Sequence, residues 1–97
     1  MNLSATDIAI IKEYFKQQPV LKAFLFGSYA RNEAGTDSDI DILVDLDYSK
    51  HIGLGFINMK FELENKLKRN IDIISSKAIS KYMSPFINKD KQLIYER

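Results

Sequence analysis

Cysteine is absent from the chain, so neither a disulfide nor a thiolate metal site can contribute to its stability or chemistry. Charge of one sign is not in excess either: 14 basic residues stand against 13 acidic ones, a formal net charge of +1. That balance exerts no general pull toward nucleic acid or an anionic membrane, and neither is an expected partner. Long apolar runs are also missing. No stretch approaches the roughly 20 apolar residues of a membrane span, and the N-terminus lacks the basic segment and apolar run of a secretory leader. A cytoplasmic location is the expectation. The single histidine, His51, lies in a polar stretch and is expected to be exposed and functionally neutral. There is no repeat and no low-complexity tract. A chain of 97 residues predicts one domain, 1–97, that buries roughly 60–68% of the unfolded surface.

The patterning predicts an α/β fold, a small mixed sheet covered by helices. Ser4 to Gln18 carries Ile8, Ile11 and Phe15 on one helical stripe, with Ser4 and Asp7 at capping-box spacing and Pro19 ending the helix. Val20 to Phe26 is apolar apart from Lys22, as an interior strand requires. Ile52 to Arg69 predicts a long helix, weakened in its first turn by Gly53 and Gly55. Ile52, Phe56, Met59, Leu63 and Leu67 form one stripe along it, suited to the sheet. Leu54, Ile57 and Phe61 form a second stripe, expected to pack on the N-terminal helix; the alternative is a partner-protein surface. Ile71 to Ile74 reads as a short strand interrupted by Asp72. Beyond it the pattern predicts a short helix over 77–82, a break near Ser84-Pro85 and a last strand over 92–95.

The chemistry concentrates between Phe24 and Leu46. A hydrophobic run stops at Gly27-Ser28, a polar connection from Asn32 to Ser38 follows, and Asp39 and Asp41 then alternate with Ile40, Ile42 and Val44. Side chains two apart on a strand share a face and lie roughly 6–7 Å apart. Two carboxylates so placed repel by roughly 3 kcal/mol at an effective dielectric of about 20, and a hard divalent cation such as magnesium would turn that repulsion into attraction. Gly27 permits a turn and close approach of backbone to ligand, Ser28 is expected to cap a short helix starting near Tyr29, and the two predict an anion site. Arg31, one turn on, is a candidate phosphate contact, and equally suited to pair with Glu33 or Asp37. Asp37 and Asp45 read as solvated charges, and so do the dispersed Lys77, Lys81, Lys89 and Lys91. Asp72, taken by itself, is an acid at a strand end that spacing leaves undecided.

Gly27-Ser28, ten intervening residues and Asp39-Ile40-Asp41 resemble the GS-x10-DxD signature of the nucleotidyltransferase superfamily. More narrowly, GSYARNEAGTDSDIDILVD is similar to the minimal nucleotidyltransferases, MNT proteins encoded beside HEPN-domain toxins, and the resemblance covers almost the whole chain. It implies a nucleotidyltransferase-like fold and a third carboxylate on the strand after the long helix, a position that Asp72 matches. The site it implies holds one or two Mg2+ ions on Asp39, Asp41 and Asp72 and grips ATP through Gly27, Ser28 and Arg31. The activity it implies is transfer of AMP to a tyrosine of a cognate HEPN ribonuclease toxin within a hetero-oligomer. Two alternatives accompany it: transfer to a small molecule, which ordinarily needs a further helical region, and a non-catalytic antitoxin acting by binding. One departure stands out, Asn32 in place of the glycine that many relatives carry after the arginine.

Overall fold

The computed structural model describes residues 3–35 and 37–97; Thr36, in the polar connection, lies outside them. Helix α1 spans Ala5–Lys16. Its start is fixed as the spacing predicts: Asp7 N–H donates to Ser4 Oγ at 3.0 Å and Ser4 N–H donates to the Asp7 carboxylate at 3.4 Å. Such a cap contributes about 1 kcal/mol. Strand β1 (Val20–Phe26), the one-turn helix α2 (Gly27–Ala30), strand β2 (Ile40–Leu46), helix α3 (Gly55–Leu67), strand β3 (Ile71–Ser75), helix α4 (Ser84–Asp90) and strand β4 (Gln92–Glu96) follow.

The sheet order is β3-β2-β1-β4. The β1–β2 and β1–β4 pairs are antiparallel, whereas β2 and β3 run parallel. This is the mixed sheet the sequence predicts, and the helix between β2 and β3 provides the crossover that a parallel pair needs. Alternation along the strands divides the interior in two. Ala23, Leu25, Ile40, Ile42, Val44 and Ile71 join Ile11 and Phe15 of α1 and Met59 and Leu63 of α3 in the main core. On the other face Phe26 and Leu43 meet Ile87 of α4, with Phe24, Ile74 and Ile79 beside them. Each fully buried large apolar side chain contributes roughly 1.5–3 kcal/mol relative to exposure, so the α1/α3 face carries most of the stability.

Three expectations are corrected. Helix α3 begins at Gly55 rather than Ile52, because Gly53 takes a positive φ of 46° and bends the chain before the helix starts. Its first stripe is buried at Met59, Leu63 and Leu67. The second stripe does not pack on α1: Leu54, Ile57 and Phe61 are 76%, 56% and 60% exposed. α1 and α3 meet through the main core that Ile11, Phe15, Met59 and Leu63 share and through a hydrogen bond, Tyr14 Oη donating to Glu62 Oε1 at 2.9 Å. Burial first, and then that bond, raises the Tyr14 pKa well above the usual phenol range. Finally, the helix expected over 77–82 is a single 3-10 turn, Ser76–Ala78. Ser75 Oγ accepts from Lys77 N–H, and Ile79 is already extended, which stops propagation. Among the described residues no helix is long and apolar enough to cross a membrane.

Candidate functional site

β1 ends against the centre of the site. Gly27 has φ +74°, a left-handed conformation that side chains with a Cβ rarely adopt. A Cβ at this position would also run into Asp41 Oδ2, because Phe26 and Asp41 are partners in the β1–β2 ladder. Glycine here is required twice, by its own backbone and by its neighbour's carboxylate. The helix that follows starts at Gly27, with Phe26 in the capping position and no side-chain cap. Ser28 therefore lies inside the first turn and does not take the capping position expected of it from the sequence.

The turn is held from behind. Tyr29 is buried in the main core, and its hydroxyl accepts from Arg69 Nη1 at 3.1 Å. Gln92 Nε2, from the start of β4, donates to the carbonyl of Ala30 at 2.9 Å. The chain leaves α2 through Asn32 at φ +62°, with Glu33 N–H donating to Ser28 O at 2.8 Å. Asparagine tolerates this left-handed conformation better than most residues. The departure from glycine at position 32 thus preserves the turn.

Asp41 and Asp72 are direct partners in the parallel β2–β3 ladder, on neighbouring strands about 4.8 Å apart. Both alternate with core residues, and both lie on the α4 side of the sheet. Asp41 is half-buried and Asp72, on the edge strand, is exposed. Asp39 sits just ahead of β2 and is exposed. Burial above all, then the charges of Asp72 and Asp39, push the Asp41 carboxyl up to about 6, while Arg31 acts in the opposite direction. The family resemblance implies that three carboxylates converge. The fold joins two by register and brings the third within electrostatic reach, and among the described residues no group of three or more His, Cys, Asp or Glu side chains is gathered ready to hold an ion. Two adjacent carboxylate donors nonetheless match what magnesium takes from a protein, which is one or two, the remaining ligands being water and substrate phosphate.

Arg31 is engaged on both sides. Its Nη1 donates to Asp90 Oδ2 at 2.7 Å and its Nε to Glu33 Oε2 at 3.1 Å, and the two carboxylates, Asp90 foremost, raise its pKa further. Glu33 was among the pairings the sequence offered; Asp90, 59 residues away in α4, was not. The other charges are peripheral. Asp45 lies opposite Lys22 in the ladder, and Asp37 and His51 are exposed. Lys77, Lys81 and Lys91 rest over the rings of Tyr48, Tyr82 and Phe24 at 4.1, 5.5 and 4.7 Å.

The family model described as "Polymerase beta, Nucleotidyltransferase" matches residues 9–97. The chain belongs to the polymerase-beta nucleotidyltransferase family. Within that family it is similar to a provisionally named protein adenylyltransferase of Methanocaldococcus jannaschii, 39% identical over 79 residues that make up 81% of this chain and 83% of the other. It is also similar to the protein adenylyltransferase MntA of Thermococcus cleftensis, 37% identical over 68 residues, 70% and 68% of the two chains. Its fold is shared by a chain of the Shewanella oneidensis complex between a tri-AMPylated HEPN toxin and an MNT antitoxin. That match has a TM-score of 0.72, 16% identity, and covers 95% of this chain and 71% of the other.

Proposed function

We propose that this chain is a protein adenylyltransferase that moves AMP from ATP to a tyrosine hydroxyl of a HEPN-domain toxin, within a complex of the two proteins. The observation that carries the reading is the in-register pairing of Asp41 with Asp72, beside a glycine whose missing Cβ leaves room for the Asp41 carboxylate. The names of the M. jannaschii and T. cleftensis relatives support the reaction, and the Shewanella complex supports the acceptor and the partner. In this reading residues 1–97 act as one minimal nucleotidyltransferase domain working in the cytoplasm.

Asp41 and Asp72, joined by Asp39 when a nucleotide is present, would hold one or two magnesium ions, which supply charge neutralisation for the triphosphate and orientation for its leaving group. Ser28 and the amides of the Gly27 turn bind the β- and γ-phosphates and favour the charge that develops on them. Arg31, released from Glu33 or Asp90 or reaching past them, adds a phosphate contact. The tyrosine oxygen bonds to the α-phosphorus as the bond from that phosphorus to the β-phosphate's bridging oxygen breaks. Pyrophosphate departs and the phenolic proton passes to a carboxylate, for which exposed Asp72 is the candidate. No covalent enzyme intermediate is needed.

The test incubates the chain, its genetically adjacent partner and magnesium with ATP labelled on the α-phosphate, reading label on protein by gel and its position by mass spectrometry. Label on a partner tyrosine, lost in Asp41→Asn while the complex still forms, is the expected result. A stable complex with bound nucleotide and no label would replace the enzyme by an antitoxin that acts through binding alone.

A further inference from the structure

The far side of the Gly27 turn opens into a cavity that the reaction above leaves unused. Its volume is about 290 Å³, and Phe26, Gly27, Arg31, Met83, Phe86, Ile87 and Asp90 line it. Phe26 and Ile87 are buried and form its floor, whereas Met83 and Phe86 of the α4 region are 48% and 73% exposed. A lone exposed apolar side chain requires no explanation. Two that wall one cavity, directly beside a candidate phosphate site, do. Gly27 and Arg31 belong to both, so the cavity begins where the phosphate grip ends.

The cavity has room for a flat heterocycle, and ligand pockets of this kind combine apolar walls with few polar groups. A nucleobase has two apolar faces and a polar edge. Phe86 offers a ring to stack on, and Met83 an adaptable thioether for sulfur–aromatic contact. Asp90 and Arg31 supply an acceptor and donors at the rim; the Asp90 carboxylate accepts from Arg31 through Oδ2, and a carboxylate has capacity for further donors such as an exocyclic amino group. We propose that this cavity holds the base of the nucleotide whose phosphates lie at Gly27-Ser28, stacked on Phe86 and flanked by Met83. The proposal rests on the nucleotidyltransferase reading and extends it to the part of the substrate that chooses among bases.

Titration calorimetry with magnesium present separates the two. ATP and inorganic tripolyphosphate are titrated into the intact chain, Phe86→Ala and Phe86→Trp. Loss of a stacked aromatic weakens ATP about tenfold or more and leaves tripolyphosphate unchanged. Phe86→Trp retains ATP affinity, and because the chain contains no other tryptophan its fluorescence is quenched by ATP and not by tripolyphosphate. The pocket assignment fails if Phe86→Ala weakens both compounds equally, or neither. It fails also if Phe86→Ala abolishes capture of the partner protein with ATP affinity intact, which would give this surface to the partner. If the intact chain binds neither compound, the nucleotidyltransferase reading falls and the pocket with it; binding of both with no effect at Phe86 removes the pocket alone.

Discussion

Gly27→Ala tests the most constrained point of the fold. An alanine held at φ +74° pays about 1–2 kcal/mol for the left-handed conformation. The new Cβ also meets Asp41 Oδ2, with Asp41 Cγ at 3.2 Å and Cβ at 3.4 Å, and forcing such an overlap costs about 1–3 kcal/mol more. Alanine restricts the unfolded chain and recovers about 0.4–1 kcal/mol, so the net loss is about 1–5 kcal/mol, a large part of a small domain's stability. Asp41→Ala removes the oxygen and Cγ and leaves only an ordinary contact at Cβ. In that background Gly27→Ala should cost no more than about 1.5 kcal/mol, the backbone part alone. Urea denaturation of the four proteins in chelator, followed by circular dichroism, gives the coupling directly, and about 1–3 kcal/mol is expected. Two losses that add within about 0.5 kcal/mol would mean that the carboxylate does not occupy the space the glycine leaves.

Three further outcomes follow from separate parts of the structure. Because the folded chain raises the Asp41 carboxyl from 3.8 to about 6, the folded state binds this proton more readily than the unfolded one. Stability from this group is complete below about pH 4 and is lost as pH rises through 6. Asp41→Asn should therefore stabilise the metal-free protein at pH 7 by about 1–2 kcal/mol after allowance for solvent screening, with no gain at pH 4; a loss at pH 7 would point to a structural hydrogen bond instead. Phe61→Glu, on the exposed stripe of α3, should shift the unfolding free energy of the isolated chain by less than about 0.5 kcal/mol, and a loss above about 1 kcal/mol would return that stripe to the α1 interface. Lys68, at φ +56° where α3 ends, should become more favourable as glycine, Lys68→Gly adding about 0.5–1 kcal/mol in thermal or urea unfolding.

What could be read without coordinates was whatever short-range pattern fixes. The Ser4–Asp7 box, the apolar β1, the first stripe of α3 and the spacing of Gly27 from Asp41 each depend on neighbours within a dozen or so residues, and each has its place in the fold. Asp72 is different. Nothing within its own strand says that it lies opposite Asp41; that follows from the parallel register, which only the crossover through α3 creates. Arg31 shows the limit more sharply. Its charge suited phosphate or carboxylate alike, and the carboxylate it holds most closely, Asp90, comes from the far end of the chain and reads in sequence as a counterweight to neighbouring lysines. Tyr29, Arg69 and Gln92, which hold the Gly27 turn from behind, were also invisible, since a buried tyrosine and a strand-end glutamine carry no motif. Periodicity found the second stripe of α3 and not its surroundings, because period says which residues share a face and nothing about what covers it.

The turn Lys68–Asn70 between α3 and β3 has a consequence for how chains of this kind can change length. Asn70 O accepts from Ile40 N–H at 3.0 Å, and Glu64 Oε2 accepts from Ile71 N–H at 3.0 Å, so the β3 end of the turn is pinned both to β2 and to α3. Adding or removing one residue there would reverse the faces of β3, sending Asp72 toward the helices and Ile71 and Ile73 into water. Two residues would restore the face and displace Asp72 along the strand by about 6.6 Å. The turn is therefore a ruler: insertions and deletions are tolerable in the exposed stretch from Ser49 to His51, and in the lineage of an active enzyme the distance from Leu67 to Ile71 should stay fixed while that stretch drifts.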